Sequence, residues 1–216
     1  MGEIFPRVLR VVGMLACMAG MAGCAFSTDH IQIDYTPGAA APVAGAADAK
    51  VQVSVVDHRD GPKDKVSNKV NGYGMDTAPI LANNDVDAAL SQAIEAELKA
   101  RGFVLAAGQA QVGVDLNRFY SQFHNGFLSG SADADCLLHV TVKNTGGAVI
   151  FERGVLGKGK VENLQLASGD NAKIALDGAL KDAVGQLMAD QAFIAALLKA
   201  NAATTSRVAA PHAPTS

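Results

Sequence analysis

The sequence predicts an α+β fold, a two-layer sandwich of a four-stranded mixed sheet with two main helices on one face. Segments of alternating apolar residues and segments of helical periodicity follow one another in the order β-α-β-β-β-α. A helix between the first two strands makes them parallel, whereas the later strands form an antiparallel meander. Because each helix has one apolar stripe, the helices can cover only one face of the sheet.

Residues 1–23 have the features of a bacterial export signal. Arg7 and Arg10 precede an uncharged run over 11–22, which is too short to span a bilayer. The tetrad that ends at Cys24 reads Met-Ala-Gly-Cys and resembles the bacterial lipoprotein signal, with methionine in place of the usual leucine. The alternative is an ordinary secretory signal that happens to end at a cysteine.

The lipoprotein resemblance implies that Cys24 becomes the new N-terminus and carries diacylglycerol and palmitate. Two or more acyl chains make a lasting membrane anchor without a spanning helix. Ala25 rather than aspartate follows the cysteine, which in such lipoproteins implies export to the outer membrane, and we expect the periplasmic leaflet. Cys17 leaves with the signal, so Cys136 remains alone and an internal disulfide is excluded.

The composition, with 49% hydrophobic and 18% charged residues, is typical of a globular domain, which we place at 51–200. The formal net charge of −3 and the lack of a basic tract make nucleic acid an unsuitable partner. Residues 24–50 are rich in Ala, Gly and Pro and predict a tether, whose flexible span would be about 25 to 30 Å. Alternation at 31–35 allows a short extra N-terminal strand, and 201–216 predict a disordered tail.

The first strand is predicted over 51–56, where valines alternate with polar residues. A helix follows over 85–101, with one apolar stripe and with Asn84 or Asp85 as its N-cap. Gly102 is placed to leave this helix in a left-handed turn, and Phe103 to cap the end of its stripe.

A long polar loop is predicted between this strand and the helix, over 57–84. Loops of that length in a compact domain are usually functional or disordered. Asp57 and Arg59 point the same way, so they could pair with each other or clamp the loop by charge-assisted hydrogen bonds. Together with Gly72 and Gly74 in the same loop, they are our candidate interaction or loop-clamping residues.

The second strand ends at Asn125-Gly126, a strong signal for a two-residue hairpin, and the third begins near Ala134. Both strands bury even-numbered positions, whereas a tight turn here would pair even positions with odd ones. A bulge near Gly130 or a looser turn is therefore needed to restore the phase. The fourth strand, over 151–161, places Arg153 on its inward face for no evident reason.

The second helix is predicted to begin at Asp170 or Asn171 and to present one apolar stripe through Leu187. Asp190 can begin a short third helix that ends near Leu198.

Several segments resemble the YajG family of bacterial lipoproteins. They are VxVVDxR at 53–59, a loop with Gly72 and Gly74, LKARGF at 98–103, an aspartate-bearing third strand at 132–140, and AVGQLMADQAF at 183–193. The resemblance covers most of 50–200. It implies a cell-envelope lipoprotein with no known cofactor.

Two motifs were weighed as ligand sites. The spacing G-x-x-x-x-G-K at 154–160 fits a phosphate-binding loop, but Val161 stands where Ser or Thr is required and the stretch alternates like a strand. Asp133, Asp135 and His139 share a strand face and could bind a metal, yet no second cluster completes a site. We therefore expect neither a metal nor another cofactor.

The sequence predicts a non-enzymatic, lipid-anchored component of the outer membrane. It would bind an envelope protein or a cell-wall partner through the sheet face or through the loop at 57–84. The alternative is a small-molecule or lipid ligand between sheet and helices, where Gly157, Gly159, Ala89 and Ala93 could leave room. An enzyme ranks third, because no acid, base and nucleophile converge in the sequence.

Overall fold

The computed structural model describes residues 26–126 and 129–208. The expectations for residues 1–25, including lipidation of Cys24, and for residues 209–216 lie outside the described residues. Within the described part, no helix combines the length and the apolar character needed to cross a membrane.

An eight-stranded mixed sheet and three helices make up this part of the chain. The strands are β1 (Asp29–Ile31), β2 (Lys50–Asp57), β3 (Lys65–Val70), β4 (Asp76–Ala82), β5 (Val104–Leu105), β6 (Ala110–His124), β7 (Gly130–Lys143) and β8 (Val149–Leu164). The helices are α1 (Val86–Ala100), α2 (Gly169–Ala189) and α3 (Gln191–Val208). A 3₁₀ turn lies at Ala46–Asp48.

The α+β class is right, but the predicted four-stranded sheet with two main helices is wrong. The largest error is the supposed loop over 57–84, which contains β3 and β4. Polar residues in β3 face the interior, since Ser67 and Lys69 are buried. Ser67 Oγ donates to the Ser121 carbonyl oxygen at 2.8 Å, and Lys69 Nζ lies 2.6 Å from Asp29 Oδ1. β3 buries paired polar groups, so its apolar alternation is weak.

The sheet forks along one edge of β6. The first half of that edge pairs in parallel with β2, from Val51 opposite Ala110 to Asp57 opposite Leu116. Further along, β3 meets β6 in parallel at Ser121. β5 extends the first branch, β4 and then β1 extend the second, and β7 and β8 lie on the other side of β6. The parallel β2–β6 pair, with α1 between them in sequence, and the antiparallel β6–β7–β8 meander are as predicted.

A register shift that lets both β6 and β7 bury their apolar residues is present, but it lies within β6 and not at the turn between the strands. The connection is loose, because His124 pairs with Ser131 across the residues between them. A register shift lies between Leu116 and Arg118, so the buried positions of β6 change from even to odd at Asn117. The two-residue turn was wrong and the looser turn is present, while the β6–β7 register shift lies where β2 leaves the edge of β6 rather than near Gly130.

The segment that was predicted to be a tether belongs to the domain. β1 pairs in parallel with β4, and Ile33, Ala46 and Ala49 are buried. The side-chain amide of Asn84 accepts a hydrogen bond from the Ile33 amide at 2.9 Å and donates one to the Ile33 carbonyl at 3.1 Å. Residues 29–50 therefore lie against the folded body, in contrast to the expected tether.

The first helix matches its sequence signals closely. Asp85 is the N-cap of α1, Gly102 has a φ of 91°, and Phe103 is buried just beyond the helix. The N-cap of α2 is Ser168 rather than Asp170 or Asn171, and its hydroxyl accepts from the Asn171 amide.

The third helix begins where the sequence predicted and runs further. Asp190 Oδ1 accepts from the Ala192 amide at 2.8 Å at the start of α3. The same carboxylate binds Arg153, which explains the arginine on β8. The helix continues to Val208, beyond Ala200 where we expected the domain to end.

The three helices lie on one face of the sheet. α1 packs on β2 and β5, and α2 packs on β8, β7 and β6 with α3 beside it. The odd-numbered positions of β8 near Gly157 face α2, whereas the even-numbered positions are exposed. The opposite side of β6, β7 and β8, which we call the outer sheet face, is therefore open to solvent.

Candidate functional site

The predicted pair Asp57 and Arg59 lies at the fork of the sheet. Arg59 Nε donates to both carboxylate oxygens of Asp57, at 3.0 and 3.1 Å, and Nη2 donates to Oδ2 at 2.7 Å. The guanidinium also donates to the carbonyl oxygens of Lys63 and Phe119. The Phe119 carbonyl lies on β6 between its contact with β2 and its contact with β3, so Arg59 fills the gap in the forked edge.

Both members of this pair are shielded from solvent. The side chains of Arg59 and Asp57 are 7% and 10% exposed. Burial by itself would raise the pKa of Asp57, but the hydrogen bonds and the charge of Arg59 bring that pKa below its ordinary value. These hydrogen bonds hold the β2–β3 connection against β6. The charged groups of Asp57 and Arg59 are occupied by each other and by backbone carbonyls.

Gly72 and Gly74 lie in the turn of the β3–β4 hairpin. The Asn71 side-chain oxygen accepts from the amides of Tyr73 and Met75, at 2.9 and 3.1 Å, which shapes the turn. Gly74 has a φ of 79°, a backbone region that favours glycine. The structure does not bring the four candidate residues together, since the fork and this turn lie at the two ends of β3.

Asp133, Asp135 and His139, which were weighed as a metal site and not favoured, do not converge in the structure. His139 lies between Asp115 Oδ2 at 3.4 Å and Glu152 Oε1 at 2.9 Å. The trio's two aspartates bind elsewhere, Asp133 to His124 and Asp135 to Arg118. Among residues 26–126 and 129–208, no group of three or more His, Cys, Asp or Glu side chains could hold a metal ion.

The outer sheet face carries these polar pairs around a small apolar centre. The hydrogen bonds to Glu152 and Asp115 raise the pKa of His139, which favours its charged form between two carboxylates. Leu137 and Leu156 are cross-strand neighbours on this face, and they are 38% and 41% exposed. Sequence analysis missed both, although Leu137 occupies an outward position of a cleanly alternating strand.

The space proposed for a small ligand is filled at the two glycines. A β-carbon on Gly157 would lie 2.2 Å from the Ala179 carbonyl oxygen, and one on Gly159 would lie 1.9 Å from the Ala175 carbonyl oxygen. The glycines thus bring the backbone of α2 against β8, and they leave no room there for a bound molecule. The phosphate-loop spacing at 154–160 lies within the same strand.

Cys136 carries the free thiol of the described residues. Its side chain is fully buried in the core, and this burial raises the pKa of the thiol to about 12. Because the thiolate is the nucleophilic form of cysteine, Cys136 acts as a small apolar core residue.

A second buried polar cluster, which sequence analysis missed, binds the N-terminal segment to α1. Glu97 accepts hydrogen bonds from Tyr35 Oη at 2.7 Å and from the Gly38 amide at 3.0 Å, and it binds Arg101. Burial would raise the pKa of Glu97, yet these hydrogen bonds lower it, so the carboxylate stays charged. Its signal in the sequence is a glutamate inside the apolar stripe, between Ile94 and Leu98.

These features define a small α+β domain with helices on one face and an open polar sheet face on the other. The chain belongs to the YajG-type family of lipoproteins: the model of an uncharacterized lipoprotein family, Lipoprotein_16, matches residues 38–198. The resemblance inferred from the sequence motifs is thereby confirmed. No curated protein matches the chain.

The fold resembles that of a solved structure. A Xanthomonas campestris protein of the DUF330 family is 13% identical, with a TM-score of 0.54, over 83% of this chain and 99% of that chain. A minor lipoprotein from Acinetobacter baumannii is 11% identical, with a TM-score of 0.39, over 65% of this chain and 93% of that chain. At this level of identity, the first similarity shows a shared fold only.

Proposed function

We propose that the protein is a non-enzymatic lipoprotein, anchored through Cys24 to the periplasmic leaflet of the outer membrane, whose outer sheet face binds an envelope protein. The observation that carries the anchoring is membership of a lipoprotein family together with the cysteine that ends the signal tetrad. Alanine at position 25 supports the outer membrane over the inner one.

The chemistry of the described polar groups supports a binding role rather than catalysis. Asp57 and Arg59 are bound to each other and to backbone carbonyls at the fork. His139 is bound between two carboxylates, and the Cys136 thiol is buried. Asp57, Arg59 and Cys136 are shielded from solvent, and the ring nitrogens of the partly exposed His139 are engaged with carboxylates, so these contacts favour structural roles.

The outer sheet face supports the choice of binding surface. Leu137 and Leu156 provide an exposed apolar centre, and the ion pairs of His139 and Arg118 surround it. An apolar centre within a polar rim is the usual organisation of a protein interface. A protein partner with a complementary apolar patch fits this surface best.

Replacing Cys24 with serine is expected to release the protein from the membrane, because no thiol remains at position 24 to carry the acyl chains. Fractionation of cells into membrane and soluble periplasmic parts measures the change. Cys17→Ser is the matched control and should leave the protein in the outer membrane. An Ala25→Asp variant should shift it to the inner membrane. Equal membrane retention of Cys24→Ser and the parent chain would contradict the anchoring.

A photoreactive amino acid at Leu156 is expected to give a crosslinked species of one discrete mass in intact cells. The same amino acid at Ile174, which is exposed on α2, is the control and should give none. Changing Leu137 to glutamate should abolish the Leu156 crosslink, because a charge would enter the apolar centre. The proposal of partner binding through this face fails if Leu156 and Ile174 give the same pattern.

A further inference from the structure

The folded domain is fastened to its N-terminal segment very close to Cys24. Asp29 Oδ1 lies 2.6 Å from Lys69 Nζ, whose side chain is 6% exposed, and Asp29 Oδ2 accepts from the Gly169 amide at 2.8 Å. Position 29 is five residues after Cys24. Five extended residues span at most about 17 Å, so the domain cannot stand far from a membrane that holds the cysteine.

Further contacts hold the following residues in place. Lys173 Nζ lies 2.6 Å from Asp34 Oδ2, and Tyr35 Oη donates to Glu97 at 2.7 Å. The segment could become a longer tether only if these contacts and the β1–β4 pairing were lost together. The short reach from Cys24 to the domain is therefore a property of the folded state.

The register of β1 shows which end of the domain faces the anchor. Asp29 pairs with Ile80, and β1 and β4 are parallel. Chain that precedes Asp29 therefore runs toward the start of β4 and the turn of the β3–β4 hairpin. The bond from Asp29 to the Gly169 amide brings the start of α2, just after Leu166, to the same end. The Asn125 side chain donates a hydrogen bond of 2.8 Å to the Asn71 carbonyl, so the end of β6 also lies at this end of the domain.

This anchor end exposes large apolar side chains. Tyr73 is 91% exposed, Phe26 69%, Leu166 61% and Met75 58%. Tyr73 and Met75 lie in the β3–β4 connection, and Leu166 lies in the connection after β8. These exposed side chains do not contribute to the core. The charged residue next to Met75 is Asp76, and acidic Asp170 lies near Leu166. Because these neighbouring charges are negative, they would not attract anionic lipids.

We propose that the anchor end is a membrane-docking surface, which seats on the same leaflet that holds the acyl chains of Cys24. Tyr73 and Phe26 lie in the headgroup region, where aromatic rings are favoured, and Met75 and Leu166 contact the acyl boundary. The inference rests on the lipid anchoring proposed above and adds an orientation. The turn between β7 and β8 then points away from the membrane.

The full-length lipidated protein, purified from membranes and reconstituted in phosphatidylcholine vesicles, tests this orientation. The chain contains no tryptophan, so Tyr73→Trp introduces a single fluorescent reporter at an exposed turn position. Val149→Trp, beside the β7–β8 turn, is the control at the opposite end and is 50% exposed. With lipids brominated on their acyl chains, Tyr73→Trp should lose emission intensity and shift to the blue, and Val149→Trp should do neither.

The outcomes separate docking from anchoring. If both variants float with the vesicles and quench equally, or only Val149→Trp quenches, the anchoring stands and the docking surface is wrong. If the parent protein does not float with the vesicles, the anchoring fails and the docking inference fails with it. Quenching of Tyr73→Trp that persists at high salt supports apolar docking, and quenching that salt abolishes contradicts it.

Discussion

Replacing Gly159 with alanine is expected to lower the free energy of unfolding by about 3 kcal/mol or more, because overpacked sites cost 1–3 kcal/mol and rigid clashes cost more. The new β-carbon would lie 1.9 Å from the Ala175 carbonyl oxygen and 2.6 Å from the Ala179 amide nitrogen. Both atoms belong to the backbone of α2. The helix cannot yield by rotating a side chain, so it must move away from β8 as a unit.

Gly154 provides the matched control for this substitution. It lies in the same strand, and the nearest atom to its β-carbon would be the Leu138 carbonyl oxygen at 4.0 Å. Gly154→Ala should therefore change stability by less than about 0.5 kcal/mol, as surface substitutions usually do. Urea unfolding followed by circular dichroism measures both variants. Equal midpoints for the two would mean that α2 does not pack on β8 as closely as the structure shows.

Replacing Arg59 with methionine is expected to cost about 3–5 kcal/mol, the usual cost of removing one partner of a buried ion pair. The carboxylate of Asp57 would keep only its longer cationic contact, with Lys63 Nζ at 3.4 Å, and the Phe119 and Lys63 carbonyls would lose a donor. Arg59→Lys should restore little, since an ammonium cannot reproduce the two-pronged contact. Thermal or urea unfolding measures the loss.

Arg118 offers the control, because its contact with Asp135 is long, at 3.4 Å, and both side chains are over a third exposed. Arg118→Met should cost no more than about 1 kcal/mol. The pH dependence gives a second readout. Arg59 helps to lower the pKa of Asp57, so the stabilisation is present above the ordinary pKa of 3.8 and is lost as the pH falls below it. An Arg59→Met variant as acid-sensitive as the parent would contradict this role.

The candidate site was predictable only in part. Asp57 and Arg59 could be paired from the sequence, because they are opposite in charge and only two residues apart. Their contact with Phe119 could not, since it depends on the fork of the sheet, where two strands share one edge of β6. The exposed Leu137 was within reach of the alternation argument. Leu156 became meaningful only through its register with Leu137.

The sequence by itself determined the family, the parallel first strand pair with its crossover helix, and the meander from β6 to β8. Each of these depends on local features, namely apolar periodicity, capping residues or a short motif. Only the tertiary structure decided that β3 and β4 are strands and that the N-terminal segment is bound to the domain. Several shielded groups there are polar and bind a distant partner: Lys69 binds Asp29, Ser67 binds the Ser121 carbonyl, and Tyr35 binds Glu97. Burial of a polar side chain is stable only with a partner, and these partners are distant in sequence.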